Sequence, residues 1–375
     1  PAPAAGHNHA CGIGTADATP YCWGTNQWSY VYVAPGSDGA RDEGVGKAIP
    51  SVGTPKVFPP RSVDFPSDIA TGVLSISAGR HHTCAIGNGN FQVACWGNNR
   101  LGQLGSGAAG DDSTPTMSLV TNPSNSGPLA QIDVMAAGGF HTCASRRTQN
   151  DKGDVLCWGA NAKPRSLTTT AYQIGRSGSY DSGEPHIEPT PVSIGGKFPN
   201  NPPYFADTLS LGKYASCAVT DQPGDVRDLR NELHCWGSNN QRQAALGNSA
   251  GSSVSNPSRI LGSLGNDVRG NTFVMDTTYG AACVGTSNKV YCWGDALAPD
   301  LESGKVSTRD LPGEVLDITL AEGDFTQGTP PVAYACALTA GDNSGPSDNQ
   351  LYCWGHDVPG LQSAEQPEPT AIPCG

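Results

Sequence analysis

Apolar positions along this chain come in short runs, and no window shows the 3.6-residue spacing of an amphipathic helix. Runs such as "GVLSISAG", "QIDVMAAG", "ADTLSLG", "TFVMDTT" and "EVLDITLAEG" read as strands. A second set of strands carries a cysteine: "HNHACGI", "RHHTCAI", "GFHTCAS", "KYASCAV", "YGAACVG" and "VAYACAL". A third set ends in Cys-Trp-Gly: "TPYCWG", "QVACWG", "DVLCWG", "ELHCWG", "KVYCWG" and "QLYCWG". A less regular fourth segment follows, often ending near a proline. Recurrence of one pattern along a chain predicts a repeat architecture. One run departs from it. "QWSYVYV" alternates strictly, with Trp28, Tyr30 and Tyr32 on one face and Ser29, Val31 and Val33 on the other.

The second and third strands of each repeat form a hairpin whose register can be deduced. Residues facing each other in an antiparallel pair have a constant index sum. If Cys84 faces Cys95, then Ala85 faces Ala94, Ile86 faces Val93, and Gly89-Asn90 remains as a two-residue loop. Facing Cβ atoms lie close enough for a disulfide. The same logic pairs Cys11 with Cys22, Cys143 with Cys157, Cys217 with Cys235, Cys283 with Cys292, and Cys336 with Cys353. The 143–157 and 217–235 separations are even, so those hairpins need an odd loop or a bulge. Cys374 is left over from the 13 cysteines, and it reads as an intermolecular bridge or a free thiol.

Four strands per repeat, six times over, predict a β-propeller of six blades, or at most seven, across residues 1–375 as a single domain. A solenoid would need atypical caps at its ends. Here the N-terminal "AAGHNHACGI" begins past the first-strand position, and "EPTAIPCG" can supply the missing strand, so closure by the terminal strand is expected.

"SAGRHHTCAIGNGNFQVACWGNNRLGQLGSG" resembles the repeat of the regulator of chromosome condensation family. The corresponding residues are Ala78-Gly79, His82-Thr83, Trp96-Gly97 with Asn99, and Gly102-Gln103-Leu104-Gly105. The last element degrades to "QRQAALG" in the fourth repeat and is missing from the fifth and sixth. The added cysteines resemble those of secreted branches such as the crinkly repeats of plant receptor ectodomains. A bacterial β-lactamase inhibitor protein of the same superfamily implies that extracellular members can be pure protein binders. The family is typically seven-bladed, whereas six Cys-Cys units are counted here.

Composition narrows the function. With 48 Gly, 30 Pro and only 15% charged residues, the chain suits short strands and many turns. Paired cysteines argue for an oxidising compartment, hence a secreted, extracellular or cell-surface protein. No C-x₂-C spacing suggests zinc. The formal net charge of −12, without a basic run, makes nucleic acid and anionic membrane poor partners. No apolar run is long enough to span a membrane. Gly-x-Ser-x-Gly, His-Glu-x-x-His and a phosphate loop are all missing, so an enzyme is not expected, nor any cofactor or metal.

Trp23, Trp96, Trp158, Trp236, Trp293 and Trp354 read as packing between blades rather than an aromatic binding ring. His9, His82 and His141 recur in different blades, too far apart to share an ion. Asp342, Asn343 and Asp348 lack calcium-loop spacing. The Trp28/Tyr30/Tyr32 face is the candidate binding feature, for a protein or for sugar rings. The loops between paired cysteines are long and charged in the third, fourth and sixth repeats, and fall on one rim. The expectation is therefore a non-enzymatic scaffold presenting a loop-bearing face to an extracellular protein. A structural subunit of an extracellular fibre or coat, self-assembling through Cys374, and a carbohydrate-binding module are the alternatives.

Overall fold

A computed structural model describes residues 3–7, 9–25, 57–63, 72–108, 114–123, 127–147, 153–163, 166–170, 172–175, 186–192, 194, 205–221, 232–244, 252–260, 273–278, 280–297, 306–322, 333–341, 349–356, 358 and 365–372. The protein is an all-β six-bladed propeller of four-stranded antiparallel sheets, each blade carrying one disulfide. The chain divides into two compact units, Pro1–Phe205 and Ala206–Gly375.

The first unit holds three blades. Blade 1 is β1 (Ala4–Ala5), β2 (His9–Ile13), β3 (Pro20–Thr25) and β4 (Val57–Ser62). Blade 2 is β5 (Val73–Ala78), β6 (His82–Gly87), β7 (Val93–Gly97) and β8 (Thr114–Leu119). Blade 3 is β9 (Ile132–Ala137), β10 (His141–Arg147), β11 (Gly153–Gly159) and β14 (His186–Val192), with a two-stranded insertion of β12 (Ala162–Lys163) and β13 (Ser166–Thr170).

The second unit holds the other three. Blade 4 is β15 (Phe205–Leu211), β16 (Ala215–Asp221), β17 (Glu232–Ser238) and β18 (Ser253–Arg259). Blade 5 is β19 (Phe273–Thr277), β20 (Ala282–Thr286), β21 (Lys289–Trp293) and β22 (Ser307–Asp310). Blade 6 is β23 (Val315–Glu322), β24 (Ala333–Thr339), β25 (Gln350–His356) and β26 (Glu365–Ile372).

Terminal-strand closure is not what the chain does. Glu365–Ile372 is the fourth strand of blade 6, pairing Leu351 with Ile372 and Cys353 with Thr370. Blade 1 takes its first strand from Ala4-Ala5, with Ala4 opposite Cys11. The reason lies in the Ala-Gly that ends a first strand. Ala5-Gly6 occupies the place of Ala78-Gly79 and Ala137-Gly138, so the N-terminus already carries the end of that strand.

Fourth strands lie at the outer edge of their sheets, where a missing N–H is tolerated. Pro59-Pro60, Pro115, Pro189, Pro191, Pro257, Pro367 and Pro369 all fall there. Proline on an edge also blocks pairing with another chain.

The Cys-Trp-Gly unit has a backbone cause. In blades 1, 2, 3, 4 and 6 the third-to-fourth strand register shifts between the Cys and the Gly. The glycines there have φ of 114° (Gly24), 103° (Gly97), 102° (Gly159), 106° (Gly237) and 113° (Gly355), and Gly294 of blade 5 has 98°. An L side chain is strained at such a bulge. It would also collide with backbone: a Cβ on Gly159 would lie 2.7 Å from the Phe140 carbonyl oxygen.

Four of the tryptophans fill the gap toward the preceding blade of their own unit. Trp96 packs with Cys11, Cys22 and Val63; Trp158 with Ile86, Val93 and Leu104; Trp293 with Val219 and Leu233; Trp354 with Val290 and Leu311.

Candidate functional site

The six disulfides join Cys11–Cys22, Cys84–Cys95, Cys143–Cys157, Cys217–Cys235, Cys283–Cys292 and Cys336–Cys353. Every one is a cross-strand rung between the second and third strands, and all are buried. Each closes a short loop, worth roughly 3 kcal/mol in the chain-entropy model. The even separations resolve as odd loops: pairing ends at Arg147–Gly153 in blade 3 and at Thr220–Glu232 in blade 4.

These rungs lie toward the roots of the hairpins, and side chains clamp the long ones. In blade 3, Arg146 Nη2 and Nε reach Asp154 Oδ2 at 3.0 and 3.2 Å. In blade 4, Glu232 accepts from Arg259 Nη1 at 3.0 Å and meets His234 Nε2 at 3.1 Å. Burial lowers the His234 pKa, against the opposing pull of Glu232. In blade 6, Thr339 Oγ1 donates to the Gln350 carbonyl at 3.3 Å. The tips beyond these roots, including Asp342, Asn343 and Asp348, lie outside the described residues, as do Trp28, Tyr30, Tyr32 and Cys374.

Blade 2 presents its own tip. Pairing follows the expected register through Ile86–Val93, and Gly87 N–H still donates to the Gln92 carbonyl at 2.9 Å. The two-residue loop does not form. Asn88 N–H turns to the Gly72 carbonyl at 2.8 Å, and Phe91, not Gly89 or Asn90, takes the positive φ, 53°. Backbone bonds hold the tip from blade 3: Gln131 N–H to the Asn90 carbonyl at 3.0 Å, and Ile132 N–H to the Phe91 carbonyl at 3.1 Å. Phe91 is left 48% exposed. A bulky residue with φ > 0 is uncommon and reports a local constraint. Sequence reasoning missed Phe91 because its exposure depends on contacts that no local pattern encodes. Blade 5 keeps the expected tight loop, Thr286 facing Lys289 around Ser287-Asn288.

The recurrent histidines tie neighbouring blades together. His9 Nε2 lies 2.8 Å from Thr83 Oγ1, and His82 Nε2 lies 2.8 Å from Thr142 Oγ1. Thr142 donates its own hydroxyl to the Gln103 carbonyl at 3.0 Å, so it accepts from an Nε2–H tautomer of His82. Burial, with His81 and His9 nearby, drops the His82 pKa to about 3; burial, with His82 nearby, does the same for His141. No group of three or more His, Cys, Asp or Glu residues that could hold a metal is found among the described residues.

The Gln-Leu-Gly turn extends further than its motif. Gln103 accepts from Leu101 N–H and donates to Asn98, while its carbonyl accepts from Trp158 Nε1 at 2.9 Å. Gln243 repeats this with Gln241 N–H and Trp293 Nε1 at 3.0 Å. The constant feature is an Asn four residues before the Gln, Asn99 and Asn239, each capping the residue after that Gln. In blade 3, β12–β13 separates Asn161 from Gln173-Ile174-Gly175, yet Ile174 N–H still donates to Asn161 Oδ1 at 3.4 Å.

Four strands, a Cys-Trp-Gly bulge and a glutamine turn together define an RCC1-like β-propeller. No family model matches the chain. Among solved structures it is similar to human WBSCR16, with TM-score 0.64 and 19% identity over 99% of this chain and 81% of that one. It is also similar to a structure of yeast RCC1 (Prp20) with Kap60, with TM-score 0.50 and 16% identity over 78% of this chain and 55% of that one. The CRINKLY ectodomain of the Arabidopsis thaliana receptor kinase ACR4 matches at TM-score 0.42 and 17% identity, over 96% of this chain and 80% of that one. At these identities the likeness is one of fold.

Proposed function

We propose that the protein is a secreted, non-enzymatic β-propeller scaffold that presents the hairpin ends of its blades to an extracellular protein partner. Six buried disulfides suggest an extracellular protein. The observation that carries the binding role is the blade 2 tip, where an exposed Phe91 is fixed by backbone bonds to its own blade and to blade 3. A preorganised aromatic with little entropy left to lose suits an interface anchor. Variable loops on a rigid frame are where binding residues concentrate.

The test is affinity capture from the native extracellular medium by wild type and by Phe91→Asp, with thermal melts of both. Wild type should retain a protein that Phe91→Asp loses at unchanged melting temperature. Equal capture by both, or retention of glycans alone on an array, would overturn the reading.

A further inference from the structure

In blade 2 of the first unit and blade 5 of the second, the residue opposite the first disulfide cysteine on the first strand does the same job. Ser77 faces Cys84 in blade 2 and Asp276 faces Cys283 in blade 5. A first strand leaves an edge N–H without a ladder partner, and the side chain at this position supplies one to the next blade. Ser77 Oγ accepts from Ala137 N–H at 3.0 Å, and Asp276 Oδ2 accepts from Leu320 N–H at 2.7 Å. Ala137 and Leu320 each directly follow the corresponding position of their own blade, Ala136 opposite Cys143 and Thr319 opposite Cys336.

Asp276 reaches further than Ser77. Its Oδ1 accepts from Thr277 N–H at 2.8 Å and from Ser210 Oγ at 3.4 Å, and Thr319 Oγ1 lies 3.5 Å from Oδ2. Ser210 Oγ is 2.5 Å from Thr277 Oγ1. One carboxyl therefore joins β15, β19 and β23. The hydroxyl chain can run in either direction: Thr277 to Ser210 to a carboxylate, or a protonated carboxyl to Ser210 to Thr277. Both protonation states are hydrogen-bonded, so the bonds alone do not choose between them.

Enclosure by protein does choose, and the nearest charge acts in the same direction. On the strands packed beside Asp276, the charged residues with described side chains are Asp207 on β15 and Asp317 on β23; β20 has none. Both are acidic. Enclosure by protein is the main force against ionisation and Asp317 adds to it, while the bonds from Leu320, Thr277 and Ser210 oppose it; the balance raises Asp276 to about 6.

We propose that Asp276 is a proton-controlled staple across the first strands of blades 4, 5 and 6, closed most firmly in mildly acid surroundings and loosened toward neutral pH. Opening lets the carboxylate ionise as it would in water. Stability is thus present below the ordinary carboxylate pKa and is lost as pH rises through about 6.

Hydrogen exchange of the intact protein, corrected for intrinsic rates, reads the opening at the Leu320 amide. The opening constant should rise about 30-fold between pH 4 and 6 and change less than about twofold from pH 6 to 7. The Ala137 amide, held by Ser77, is the internal reference for a staple that cannot ionise. Asp276→Asn should flatten the Leu320 profile, and Asp317→Asn should move its midpoint to lower pH. Direct carboxyl titration of Asp276 in wild type covers the case of a variant that does not fold. A flat wild-type profile, an unchanged slope in Asp276→Asn, or an Asp276 midpoint near 4 would overturn the proposal.

Discussion

The two units are built from the same blade but tie their blades together with different chemistry. In the first unit, histidine and threonine alternate across blades, His9 to Thr83 and His82 to Thr142, all buried. In the second, the same positions are Ala215-Ser216, Ala281-Ala282 and Tyr334-Ala335, and the ionisable tie lies instead on a first strand, at Asp276. Both solutions place an ionisable group where its uncharged form is favoured over that in water, and their responses to acid have opposite signs. A histidine depressed to about 3 stabilises above pH 6.5 and loses that contribution as pH falls. A carboxyl raised to about 6 does the reverse. The blade therefore demands a tie to its neighbour but leaves open which residue makes it.

What the units share should be the costliest to break. Trp158→Ala and Trp293→Ala each empty a fully buried site and strip the indole donor from a glutamine carbonyl. Each should cost about 3–5 kcal/mol, measured by denaturant unfolding. A loss confined to one unit would mean that the blade interface is not common to both.

Next in size is the divergence with pH. Hydrogen exchange resolved by region should show the first unit losing protection as pH falls from 6.5 toward 4. His82 and His141 each contribute about 1.4 kcal/mol per pH unit there. Over pH 4–6, exchange at the second-unit first strands should move the other way. His82→Gln keeps an N–H for Thr142 and should flatten part of the first-unit slope. Parallel slopes in the two units would erase the contrast.

Much of this frame was legible in the sequence, for a physical reason. A disulfide rung fixes register, and register follows from index sums, so all six pairs, the four-strand blade and the odd loops could be read directly. The Cys-Trp-Gly repeat was visible as a motif, though its positive-φ bulge was not, because φ depends on the fourth strand. The terminal strand was misassigned because irregular fourth strands carry no periodic signal, while two residues of β1 are too short to announce themselves. Gln243 escaped notice because the turn is defined by its spacing from Asn239 and not by the flanking glycine and leucine. Asp276 and Ser77 could not be linked at all, since their likeness is a shared position opposite a cysteine.

The His82–Thr142 tie can be isolated by a double-mutant cycle. His82→Ala leaves a buried hydroxyl acceptor unfilled and should cost about 1–3 kcal/mol. Thr142→Val removes that acceptor together with the bond to Gln103. The coupling between the two substitutions should come to about 1 kcal/mol at pH 7, and a coupling of zero would demote the tie to simple packing.

The smallest effect belongs to Ser77, and it calibrates the second unit. Ser77→Ala removes one neutral bond to the Ala137 amide at a partly buried position. The loss should be about 0.5–1.5 kcal/mol, the same at pH 5 as at pH 7, since no proton is exchanged at that site. Its measurement is a pair of urea unfolding curves at the two pH values. If Ser77→Ala changed the pH dependence of stability, the titration assigned to Asp276 could not be attributed to the carboxyl itself. A pH-invariant loss would leave ionisation as the feature separating two staples that share a register position and a backbone target.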